Sequence, residues 1–123
     1  MNMNTLITNF ENKVNALVIA ENGVELAENE VELAIIDIVS LLQKDKGYVE
    51  FTAETSYPYF DDDTIGMDAI IAIKVEDGLL KLLTESQMEK PDDEDVEWFN
   101  WKHYGTLNFK DLGHILKMMS KKP

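Results

Sequence analysis

Two stretches of the chain set aromatic rings directly beside carboxylates. Tyr57-Pro58-Tyr59-Phe60 runs into Asp61-Asp62-Asp63, and the acidic run Asp92-Asp93-Glu94-Asp95 is followed by Trp98 and Trp101. Tyrosine and tryptophan are over-represented among the residues that dominate binding energy at protein interfaces. Carboxylates around such an anchor suit a partner that carries lysine or arginine, which charge draws in. The candidate partner-binding residues are therefore Tyr57, Tyr59, Phe60, Asp61, Asp62, Asp63, Asp92, Asp93, Trp98 and Trp101. The competing reading is structural: rings that fill a small core, a solvated turn at the Asp triplet and a mobile acidic connection over 84–97.

Other chemistries find less support. An EF-hand loop starting at Asp61 takes oxygen ligands at its first, third and fifth positions, glycine at the sixth and glutamate at the twelfth. Asp61, Asp63 and Gly66 comply, whereas Ile65 and Ala72 do not. His103 and His114 fall on different expected elements with no metal-ligand spacing. Ser40, Ser56, Ser86 and Ser120 all lie outside a Gly-x-Ser-x-Gly elbow, and the six glycines form no phosphate-cradling loop. Carboxylate pairs are inevitable in so acidic a chain and single out no glycosidase geometry. No catalytic residue, cofactor or bound metal is expected.

The composition points the same way. The 123 residues carry 24 acids and 11 bases, every base is lysine, cysteine is absent, and the formal net charge is −13. These counts exclude a disulfide scaffold, a thiolate enzyme and a zinc finger. They argue against direct nucleic-acid binding, which needs a basic footprint. Only residues 98–123 are locally basic, with five lysines against one aspartate; they suit the last turn of a helix or a contact with acidic surface, the protein's own included. The start, Met1-Asn2-Met3-Asn4-Thr5, lacks a signal-peptide pattern. The longest apolar runs, Ala16–Ala20 and Ala69–Ile73, fall far short of the roughly twenty residues of a membrane span. A cytoplasmic location is expected, and the lysine-only basic set with abundant Asn, Ile and Glu fits an AT-rich bacterial or phage coding sequence.

The elements that must position these residues follow from periodicity. One domain over 1–123 is expected: a helical part at 1–46, an antiparallel sheet with acidic loops at 47–107 and a C-terminal helix at 108–120. Leu6, Ile7, Phe10, Val14, Leu17 and Val18 recur at helical spacing; Asn4 or Thr5 would cap this helix and Gly23 would end it. Asn22-Gly23 alternatively reads as a β-hairpin turn. Val24-Glu-Leu-Ala27 returns as Val31-Glu-Leu-Ala34, which places the copies on one helix face. Asn29 with Glu32 resembles a capping box, and this helix is expected to end near Asp45.

Beyond Gly47 the period becomes two. Val49, Phe51, Ala53 and Thr55 alternate with polar residues, a loop is expected over Pro58–Gly66, and Met67, Ala69, Ile71, Ile73 and Val75 form the next alternating set. Asp77-Gly78 is a two-residue hairpin turn, which pairs 76 with 79, 75 with 80 and 73 with 82 and buries Ile71, Ile73, Leu80 and Leu82 together. Lys74 then faces Lys81, so a carboxylate such as Glu76 should lie close. Trp98–Tyr104 reads as a fourth strand that carries Phe99, Trp101 and His103 on one face, and Asn108 with Asp111 caps the last helix. The result is an α+β fold: N-terminal helices, a three- or four-stranded antiparallel meander and a C-terminal helix packed on one sheet face. The functional expectation is a non-catalytic protein-binding or regulatory module, its partner a protein with a basic surface. The alternative is an acidic inhibitor, a DNA mimic or an immunity-type protein, that blocks a basic nucleic-acid-handling protein.

Overall fold

The computed structural model describes residues 2–121. The first helix, α1 (Met3–Ile19), starts two or three residues earlier than expected, because the Asn2 side chain accepts from the Thr5 N–H at 2.9 Å. It buries Leu6, Ile7 and Phe10. Gly23 does not end it. At φ +71° Gly23 is instead the N-cap of α2 (Val24–Leu42), so Asn22-Gly23 joins two helices rather than two strands. Asn29 and Glu32 lie inside α2, and the capping-box reading is thereby corrected. Val31, Ile35, Ile38 and Val39 bury one continuous stripe that carries the helix through, while the Glu32 carboxylate meets Lys102 at 3.1 Å. Helix α2 stops at Leu42 rather than Asp45, and Gln43 links it to the sheet. The Gln43 amide donates to the Val75 carbonyl at 3.0 Å and accepts the Val75 N–H at 2.8 Å, as a neighbouring strand would.

The sheet has more strands than expected, and those at Val49 and Phe99 are only two residues long. They are β1 (Val49–Glu50), β2 (Tyr59–Asp62), β3 (Gly66–Glu76), β4 (Leu79–Thr84), β5 (Phe99–Asn100) and β6 (Gly105–Leu107). Their order is β5-β4-β3-β2-β6, with β1 also on β3. The strand at Val49 ends early, because the Thr55 hydroxyl accepts from the Thr52 N–H at 2.8 Å and closes a turn. The expected loop over Pro58–Gly66 contains β2, because Phe60 finds Asp68 across on β3 and Leu107 across on β6. The expected regular strand over Trp98–Tyr104 is only β5, then a 3-10 turn at Trp101–His103, then β6.

The hairpin register is as expected: Ile73 faces Leu82, Val75 faces Leu80, and Glu76 faces Leu79. Asp77 and Gly78 both adopt positive φ, +56° and +75°, the turn whose twist matches that of the strands. One correction is needed upstream. The pairing shifts between Ile70 and Ala72, so Ile71 is the extra residue of a β-bulge. The bulge reverses the alternation: Ile70 joins Ile73, Leu80 and Leu82 in the core, while Ile71 stays half-buried outside it. It also turns Asp68 inward, where the carboxylate accepts from the Ser86 N–H at 3.2 Å and from the Ser86 hydroxyl.

The last helix, α3 (Phe109–Ser120), is capped as expected, Asn108 accepting the Asp111 N–H at 3.1 Å. The three helices pack on one sheet face over a shared core that includes Phe10, Ile35, Phe60, Ile73, Leu82 and Leu112. Two of the C-terminal lysines serve the protein's own acidic surface, Lys102 on Glu32 and Lys117 on Glu11 at 3.3 Å. Among the described residues no helix is long and apolar enough to cross a membrane.

Lys74 and Lys81 do face each other, and Glu76 bridges them with one carboxylate oxygen to each ammonium at 2.8 Å. The hydrogen bond from Lys74, then that from Lys81, lowers the Glu76 pKa from 4.5 to about 2. A carboxyl acidified by folding stabilises the fold above its unfolded pKa, and that contribution is lost as pH falls through the folded one. Glu76→Gln is therefore expected to melt below the parent at neutral pH and low salt. The gap should close as pH falls from 4.5 toward about 2. Melting curves of both proteins across that range check this; a gap that persists at the acid end would contradict it.

Candidate interaction site

Strand β2 sorts the first aromatic and acidic cluster by alternation. Phe60 points into the core and is fully buried, so it is not available to a partner and is corrected from the candidate set. Tyr59 and Asp61 point to the other face of the sheet and are exposed. Cross-strand pairing sets Tyr59 beside Ala69, and Asp61 between Met67 of β3 and Thr106 of β6. Met67 is 66% exposed and Tyr59 50%. Tyr57 is exposed just upstream, where the buried Pro58 offers its carbonyl to the Ile70 N–H at 2.8 Å and anchors the approach to β2.

The three aspartates do different work. Asp61 lies on the open face. Asp62 stabilises the turn, its Oδ1 accepting from the Thr64 N–H at 2.8 Å and the Ile65 N–H at 3.2 Å. Asp63 is exposed at the tip, and its N–H donates to the Tyr104 carbonyl at 2.8 Å. Among the described residues no group of three or more His, Cys, Asp or Glu side chains converges as metal ligands would.

The second cluster forms a strap over the other half of the same face. After the 3-10 turn Glu85–Gln87 the chain runs through Pro91–Asp95, pinned by the Asp93 N–H on the Lys90 carbonyl at 3.1 Å and by the Gln87 amide on the Glu97 carbonyl at 3.1 Å. Asp92 and Asp93 stay exposed. Trp98 is half-buried against Tyr48, ring centroids 6.0 Å apart, with the Lys74 ammonium 4.8 Å from the Trp98 ring centroid, a cation–π contact. Ala72 and Leu83 are buried as well, although they do not belong to the main core cluster beneath the helices. Trp101 lies on the helix side, edge-on to Phe109 of α3 at 5.3 Å, and its buried indole N–H meets no acceptor. Trp98 and Trp101 thus both serve packing, on opposite sides of the sheet.

The two clusters meet at one place. Tyr57 and Asp92 line a groove of about 470 Å³ with Tyr48, Glu50, Ile71 and Lys90, at the border between the strap and the open half of the face. The structure therefore joins Tyr57, Tyr59, Asp61 and Asp92 along one side of the sheet and removes Phe60, Asp62, Trp98 and Trp101 to structural duty. Met67 was missed. The signal was its opposition to Asp61, readable only once β2 is known to be a strand. Comparison of the chain with family models, with curated proteins and with solved structures finds no match.

Proposed function

We propose that the chain is a non-catalytic protein-binding module of the bacterial or phage cytoplasm that docks a partner with a basic surface on the open half of its sheet. The observation that carries this reading is the uncovered trio of Tyr59, Asp61 and Met67 on one sheet face, Asp61 opposite Met67 and two residues along β2 from Tyr59. Large side chains of this kind anchor interfaces, and the carboxylates of Asp61, Asp63 and Asp92 at the margin favour lysine and arginine opposite. Nothing in this arrangement needs a reacting group.

The test is retention of partner from host lysate, treated with nuclease, on the immobilised parent and on a Tyr59→Ala/Met67→Ala variant. Both side chains are exposed, so the variant folds. The partner is expected to survive a high-salt wash on the parent, and the variant to lose it about tenfold or more. The net charge of −13 favours a second reading, the acidic inhibitor of a basic nucleic-acid-handling protein. Under that reading the captured protein is shed by salt, Asp61→Asn/Asp63→Asn abolishes capture, and Tyr59→Ala/Met67→Ala does not.

A further inference from the structure

Three aromatic rings line one trough along the foot of the strap. Tyr57 and Tyr48 line the groove of about 470 Å³, and Tyr48 and Trp98 line a second of about 770 Å³. The two share Tyr48, Lys46, Pro91 and Asp92, so each continues the other. The β-bulge contributes Ile71, which is turned out of the core into the Tyr57 side of the trough. Tyr57 is 38% exposed, while Tyr48 and Trp98 are half-buried. The polar atoms of these rings are free. Among the described residues the hydroxyls of Tyr48 and Tyr57 and the indole N–H of Trp98 enter no hydrogen bond. Those of Tyr48 and Trp98 still reach solvent, unlike the buried Trp101 indole.

Ring walls with donors at their rims select a ligand that is apolar in its side chains and rich in acceptors. A polyproline II helix has both properties. It makes no internal hydrogen bonds, so its carbonyls stay open to partners, and proline brings a compact apolar ring without an N–H. Other occupants match less well. A strand added to the sheet needs a free edge, and β3 beneath the trough is paired at Ile73 with β1 on one side and β4 on the other. An amphipathic helix seats an aliphatic stripe in a hydrophobic groove, whereas the aliphatic lining here is Ile71 and Val96 alone. Lys74 and Glu76 are paired with each other. The remaining charged lining is Glu50, Glu89, Asp92, Asp93 and Glu94 against Lys46 and Lys90, which favours lysine or arginine beside the prolines. We infer that this trough binds a proline-rich, lysine- or arginine-flanked segment of another protein in the polyproline II conformation. Such a segment is ordered before it docks and loses little conformational freedom, which suits a shallow site. The inference uses neither Tyr59 nor Met67 and does not rest on the function proposed above.

The probe is a fluorescent synthetic peptide, a run of prolines followed by lysines, titrated with the full chain and read by anisotropy. Binding is expected, and the Trp98 indole N–H signal should shift while that of Trp101, on the opposite side of the sheet, stays in place. Tyr57→Ala, at an exposed position, should weaken binding at least about tenfold. Tyr57→Phe keeps the wall and removes the donor, and should weaken it about two- to tenfold. A glycine-for-proline peptide with the same lysines should not bind. The inference is overturned if the proline peptide fails to bind at millimolar concentration, if the glycine peptide binds equally, or if the Trp101 signal moves and that of Trp98 does not. It is also overturned if Tyr57→Ala binds like the parent, or if the loss follows Tyr59→Ala/Met67→Ala instead. Loss of lysate capture by Tyr59→Ala/Met67→Ala has no bearing on peptide binding, so the two readings fail separately.

Discussion

Ile73→Ala is expected to lose about 2–5 kcal/mol of stability, and Ile71→Ala less than about 1. Ile73 is fully buried, paired with Leu82 on one side and Val49 on the other. Truncation there removes buried methylenes and leaves a cavity between two strands and the helices, which close packing does not refill. Ile71 lies two residues away and is the same residue type. In a regular strand the two would share a face and respond alike. The bulge between Ile70 and Ala72 separates them. Ile71 faces the groove shared with Tyr57 and Asp92 rather than the core. Urea denaturation of both variants with a common slope measures the contrast. Similar losses would mean that the alternation runs unbroken and that the bulge is absent.

That contrast shows what the sequence can and cannot make legible. The β3–β4 register is written locally, because Asp77-Gly78 admits one tight turn and the flanking strands inherit its pairing. The bulge is not written. Ile70-Ile71-Ala72-Ile73 is apolar at every position, so either alternation satisfies the pattern. Asp68 illustrates the same limit. A carboxylate in the middle of a strand reads as solvent-facing, and only the distant Ser86, with its N–H and hydroxyl, makes the inward position tenable. Strand β2 escaped notice because three aspartates at its end resemble a turn and because its second partner, β6, lies 43 to 47 residues away, from Asp62↔Gly105 to Phe60↔Leu107. Once β2 is placed, simple alternation separates Tyr59 and Asp61 from Phe60. The general character of the candidate site, aromatic and acidic, was therefore readable. Its membership depended on reading 59–69 as a hairpin closed at Asp62 and Gly66 and on the distant pairing with β6.

Gly105→Ala is expected to destabilise the protein by about 1–3 kcal/mol, toward the upper end of that range, and to disturb the open sheet face with it. Gly105 sits opposite Asp62 at the start of β6. A Cβ there would fall on the carbonyl oxygen of Asp61 and come within 2.9 Å of the Phe60 ring. A side-chain ring can turn aside by a rotamer change, but a backbone carbonyl in a paired strand has nowhere to rotate, so β6 must part from β2. Parting releases the Asp63 N–H from the Tyr104 carbonyl and withdraws Leu107 from its place opposite Phe60. Glycines with open space serve as the control. Gly78 has φ +75° and nothing within 4 Å of an added Cβ, so Gly78→Ala carries only the left-handed backbone penalty of about 1–2 kcal/mol and leaves β2 in place. Amide chemical shifts separate the two mechanisms: Gly105→Ala should move signals along Tyr59–Asp63, and Gly78→Ala should not. A loss under about 0.5 kcal/mol with β2 unmoved would show that β6 does not clasp this edge. With the expected result, Gly105 becomes a positioning residue for Tyr59 and Asp61, and on the proposed function its substitution should reduce partner capture although glycine offers no side chain to a partner.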